Sequence, residues 1–218
     1  MPKRALIEKR PWLVASLVAG VSYWLAAKGQ VPGLWLIAWK GAGVALLAAY
    51  AWAHHPSRNA HLIALVMALG ALGDMVLEVN FTGGAVAFLL GHLAAITLYL
   101  RHRRPNPTGS QKAAAVTTLL AAPVISWQLT GAGEVALYAL GLGGMAAAAW
   151  LSSFPRYRVG VGAMMFVASD LLIFARMGPL AHSALPSLLI WPLYYFGQFL
   201  ICTGVIGALR NKGEFSAG

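Results

Sequence analysis

Two aspartates, Asp74 and Asp170, sit inside long apolar runs, where an ionised carboxylate is expensive to place. Lys40, Glu78, His92 and Gln198 lie in similar runs, accompanied by Tyr138, Tyr194 and Tyr195. Ionisable groups at such depth face a bundle interior or a wet cavity, usually with partners, so function is the first reading of them. Two carboxyls close together in a low dielectric share one proton, because like charges cannot both ionise cheaply. Such a pair suits either general acid/base catalysis or a proton relay. Asp74 and Glu78 are four residues apart and share one helical face. No metal or cofactor is expected. One histidine and three carboxylates show no ligand spacing, and there is no phosphate loop, Gly-x-Ser-x-Gly elbow, His-Glu-x-x-His or CxxC.

The elements that hold these residues follow from composition. Of 218 residues, 59% are hydrophobic and 10% charged. Six acids and sixteen Lys/Arg cannot cover a soluble domain of this size. A soluble enzyme, a disordered chain and a disulfide scaffold are all excluded, the last because Cys202 is the sole cysteine. Eight runs are apolar all round and rich in Ala, Leu and Gly: 12–27, 34–53, 60–79, 84–100, 113–129, 134–151, 159–177 and 185–209. The expected fold is all-α, a single integral membrane domain over 1–218 built as a polytopic bundle of eight transmembrane helices. Short connections make neighbouring helices antiparallel. Asp74 and Asp170 fall late in the third and seventh spans, which suggests two parallel four-helix repeats.

The net charge of +10 is distributed as membrane topology rather than as a nucleic-acid surface. Lys3, Arg4, Lys9, Arg10, Arg58, Arg101, Arg103, Arg104, Lys112, Arg156, Arg158, Arg210 and Lys212 all lie on the side of the N-terminus. Lys28 and Arg176 lie on the other, and Lys40 lies within a span. The bias predicts a bacterial inner-membrane protein with both termini cytoplasmic and the first span kept as a signal anchor. It also places Lys40, Asp74, Glu78, His92 and Asp170 at depths from which one outward-opening cavity is reachable, with Gln198 at its floor. Plainer roles stay open. Lys40 and Arg176 can snorkel, Glu78 can be wet at a helix end, and His92, Gln198 and the tyrosines can pack or bridge helices. Proton-coupled transport and non-catalytic lipid binding also accommodate these residues.

Lys40, Gly73-Asp74, Phe88…His92…Tyr99, Tyr138…Met145, Gly162-Ala163…Phe166…Ser169-Asp170 and Tyr194…Gln198 carry a pattern over roughly residues 35–206. In order and spacing it resembles the YhhN family of lysoplasmalogenases. Gly41 follows the lysine where the family usually has proline. The resemblance implies an eight-helix membrane hydrolase that cleaves the vinyl ether of a lysophospholipid, giving a fatty aldehyde and a glycerophospho-headgroup. It implies Asp74 and Asp170 as the catalytic pair, and lysophospholipid and membrane lipid as the partners. In that setting Lys40, Glu78, His92 and Tyr138 are candidates for tuning the pair or binding the headgroup. Tyr194 and Gln198 are candidates for placing water or the ether oxygen.

Overall fold

A 20-residue run in hydrocarbon must satisfy every backbone N–H and C=O within itself, so it folds as a helix. The computed structural model describes residues 10–27, 33–54 and 57–211. Among the described residues there are eight α-helices and no strand. They are α1 Arg10–Ala26, α2 Gly33–His54, α3 Arg58–Leu77, α4 Phe81–Arg101, α5 Gly109–Thr130, α6 Gly133–Leu151, α7 Val161–Met177 and α8 Leu185–Asn211. Helices α2 to α8 are long and apolar enough to cross a membrane, α7 together with the turn before it, and α1 is a shorter apolar helix. Its 17 residues span about 26 Å at 1.5 Å per residue.

The eight expected runs coincide with these helices to within a few residues. The ends have local causes. Ser57 Oγ caps α3 by accepting from Ala60 N at 3.2 Å. Thr108 and Gln111 form a capping box at α5. Gly131, at φ 69°, closes α5 in the left-handed conformation and donates its N–H to Trp127 O at 2.7 Å. One junction departs from expectation. The span expected from residue 159 begins with a π-helical turn over Arg156–Gly160, in which Val161 N donates to the Arg156 carbonyl five residues back. Lys3, Arg4, Lys9, Lys28 and Lys212, which enter the charge bias, lie outside the described residues.

The chain divides into two compact units, Met1–Ala94 with Ile206–Gly218, and Ala95–Val205. In unit 1, α1 packs on α2 and α2 on α3. Ser16 Oγ donates to the Gly43 carbonyl at 2.6 Å, and Trp39 Nε1 donates to Ser22 Oγ at 3.1 Å. Val44, Leu47, Ile63 and Met67 fill the interior. Close approach depends on glycine: a Cβ at Gly41 would lie 2.6 Å from Met75 Cγ, and one at Gly73 would lie 2.8 Å from the Phe88 ring of α4.

In unit 2, α5 packs on α6 and both meet α7. Glycine contacts are equally close there. A Cβ at Gly143 would lie 2.8 Å from the Thr118 carbonyl oxygen, and one at Gly162 would lie 2.6 Å from the Gly197 carbonyl oxygen. The second contact brings the backbones of α7 and α8 together. Large apolar side chains point outward in both units, Leu34 at 83% exposure and Leu120, Trp127 and Leu137 among the others. Asp74, His92, Asp170 and Gln198 point inward. That distribution suits lipid outside and polar chemistry within.

Candidate active site

In unit 1 the site residues gather around the C-terminal end of α3. Asp74 is 3% exposed. One turn on, Glu78 caps the helix and pairs with Lys40 of α2. The pair is asymmetric: the lysine side chain is 13% exposed and the glutamate 42%. Lys40 is therefore held by a carboxylate from the next helix, and Glu78 is both wet and paired. Desolvation of the ammonium exceeds that of the carboxylate, so the pair presents a mostly covered cation behind an accessible anion. The Gly73–Phe88 contact fixes α4 against α3 beside Asp74. His92 is buried one turn along α4 from Phe88, on the same face.

Tyr23 of α1 joins this group. It is buried and lies within electrostatic reach of both Glu78 and Asp74. Sequence reasoning overlooked it. The available signal was depth: Tyr23 falls late in the first span, as Asp74 does late in the third, and alternating spans put those ends at one level.

In unit 2, Asp170 is 6% exposed on α7 and is held by Tyr138 of α6, whose hydroxyl donates to Oδ2 at 2.7 Å. The Tyr138 ring meets Phe174 edge-on at 6.0 Å, one turn beyond Asp170. The preceding residue, Ser169, donates to the Ile190 carbonyl at 2.9 Å and so ties α7 to α8. Tyr194 is buried and packs edge-on to Phe166 at 5.1 Å. Trp191 stacks on Tyr195 at 5.9 Å. Gln198 is buried on the same helix, beside the Gly197 contact with Gly162. The sequence signalled each of these polar residues and Phe166 but not Trp191 or Phe174, and it did not pair Tyr138 with Asp170. A hydroxyl donor of this kind fixes one carboxylate oxygen and leaves the other to act on a substrate.

These features define a polytopic helical membrane protein with buried carboxylates on two helices, each set among polar or aromatic neighbours. The YhhN family model matches residues 35–205, and the chain belongs to the YhhN family. Two relatives named lysoplasmalogenase, from Mycobacterium bovis (strain ATCC BAA-935 / AF2122/97) and Mycobacterium tuberculosis (strain CDC 1551 / Oshkosh), are each 32% identical over 216 residues. Each alignment covers 88% of this chain and 82% of the relative. No solved structure matches at a significant level.

Proposed function

We propose that this protein is a membrane-embedded, lysoplasmalogenase-like hydrolase that works by an Asp74–Asp170 general acid/base pair. The substrate class is a lysophospholipid with a vinyl ether chain, drawn from the surrounding membrane lipid. The supporting observation is that both aspartates are buried in a chain whose relatives carry the lysoplasmalogenase name.

Vinyl ether hydrolysis needs what such a pair supplies. The protonated carboxyl donates to the β-carbon of the vinyl ether, forming a C–H bond and an oxocarbenium ion. The ionised partner stabilises that cation and orients water. Water adds to the cationic carbon and returns its proton to the carboxylates. The hemiacetal then breaks its C–O bond, leaving fatty aldehyde and the headgroup alcohol. Tyr138 holds the Asp170 carboxylate in place. Lys40, held by Glu78 one turn from Asp74, tunes the proton affinity of the carboxyl pair. His92 tunes the pair's proton affinity or meets the phosphate, and Tyr194 and Gln198 place water or the ether oxygen. No step calls for a metal or an organic cofactor. The basic residues at the helix ends support an inner-membrane orientation with both termini cytoplasmic.

The test is purified full-length protein in detergent, given an alkenyl lysophospholipid or its acyl counterpart, with aldehyde detection. Aldehyde from the alkenyl lipid alone supports the reading. Proton uptake into liposomes without cleavage, or lipid binding without turnover, overturns it.

A further inference from the structure

Unit 2 carries a second polar feature that the hydrolytic reading does not use. The α4–α5 and α6–α7 connections are stitched together by backbone. Arg103 pairs with Ser152 in an antiparallel bridge, Arg104 N donates to Leu151 O at 2.9 Å, and Ser153 N donates to His102 O at 2.7 Å. Phe154 is fully buried beneath, against the rings of His102 and Tyr99. The stitch joins residues 102–104 to residues 151–153, with Arg101, Arg103 and Arg104 on one connection and Arg156 and Arg158 three and five residues past Ser153 on the other. Lys112 follows in the first turn of α5.

Among the described residues of unit 2, no carboxylate lies at this end of the helices. Between Ala95 and Val205 the only acids are Glu134 and Asp170. Glu134 stands at the opposite end of α6 from Leu151, about 26 Å away along the helix. Asp170 is buried and held by Tyr138.

A topological charge bias accounts for arginines at this end of the helices. It does not account for two buried donors found there. Arg104 Nε and Trp150 Nε1 are both shut away from solvent with no acceptor. Buried N–H groups are nearly always paired in folded proteins. The Trp150 ring packs along the π-helical turn at Gly160, the same turn that carries Arg156 and Arg158. The Arg156 guanidinium lies over the exposed Tyr157 ring at 4.8 Å, which keeps it at the rim. Two buried donors, uncompensated guanidinium groups and an aromatic rim call for a diffuse multi-oxygen anion.

We propose that the stitched α4–α5 and α6–α7 connections form a binding site for the phosphodiester headgroup of an anionic phospholipid. Its acyl chains lie along the exposed apolar flank of unit 2, and the arginines hold its phosphate at the headgroup level. The site does not use the aspartates and does not depend on the hydrolytic assignment.

The test is equilibrium binding of short-chain phosphatidylglycerol to the purified full-length protein in nonionic detergent, with short-chain phosphatidylcholine as the neutral-headgroup comparison. The wild type is expected to prefer phosphatidylglycerol. Arg104→Gln and, on the other connection, Arg156→Gln are each expected to weaken it about fivefold. Arg58→Gln, in unit 1, should leave it unchanged. If Arg104→Gln fails to fold, Arg156→Gln carries the same test. Equal binding of the two lipids, equal loss on Arg58→Gln, or full competition by inorganic phosphate at the lipid's own concentration overturns the proposal.

Discussion

The two aspartates are housed differently. Around Asp74 the neighbours are charged or titratable: Glu78 one turn away, Lys40 paired to it, and Tyr23 within reach of both carboxylates. Around Asp170 they are neutral: the Tyr138 hydroxyl, the Phe174 edge and the aromatic cluster of Phe166, Tyr194 and Trp191. Individual glycine contacts differ too. Gly41 and Gly73 of unit 1 lie closest to side chains, Met75 and Phe88, whereas Gly143 and Gly162 of unit 2 lie closest to backbone carbonyls.

Substitutions can break or sharpen that contrast. The largest effect is expected at the aspartates, where the units should look alike. Asp74→Asn and Asp170→Asn should each lower aldehyde release about a thousandfold or more, as loss of a general acid or its partner does, with an unchanged helical circular dichroism spectrum. A unit whose aspartate can be replaced without loss has no part in the chemistry.

Next come the glycines, where the units should differ. Gly162→Ala forces a methyl against the Gly197 carbonyl and should destabilise the protein by about 1–3 kcal/mol in thermal unfolding. Gly41→Ala meets Met75, a flexible side chain able to move aside, and should cost less. Equal costs would remove the packing contrast.

Smaller effects separate chemistry from binding. Tyr138→Phe should reduce kcat about tenfold, the value of one hydrogen bond to a carboxylate, with little change in KM. Lys40→Met should act more weakly, lowering kcat only a few-fold, as a partly exposed ion pair is worth about 1 kcal/mol or less. A KM effect at Lys40 with no change in kcat would move the lysine from the reacting atoms to the headgroup.

Much of this was legible in the sequence. Helix number and approximate limits follow from run length, because lipid leaves the backbone one way to satisfy itself. Burial of Asp74 and Asp170 was legible too, since a carboxylate inside an apolar run has little choice but to face inward. The pairings were not. Lys40 and Glu78 are 38 residues apart on different helices, and which face of α2 meets α3 depends on the Gly41 contact, which no periodicity reveals. Tyr138 reaches Asp170 through the rotation of α6 against α7, set by packing in helices that are apolar all round. The π-helical turn at Arg156–Gly160 and the Arg103–Ser152 bridge arise from loop geometry that charge counting passes over. Tyr23 escaped notice because an isolated tyrosine in a first span looks like an interface anchor.

Adjacency of the two aspartates is the condition on which the mechanism depends, and cross-linking measures it without reference to turnover. In a Cys202→Ser background carrying Asp74→Cys and Asp170→Cys, a short bis-thiosulfonate reagent should join the two positions. After cleavage in an intervening loop the fragments should then stay linked until reduced. Fragments that separate, while both thiols are shown to have reacted singly, would place the carboxyls apart and contradict a shared proton.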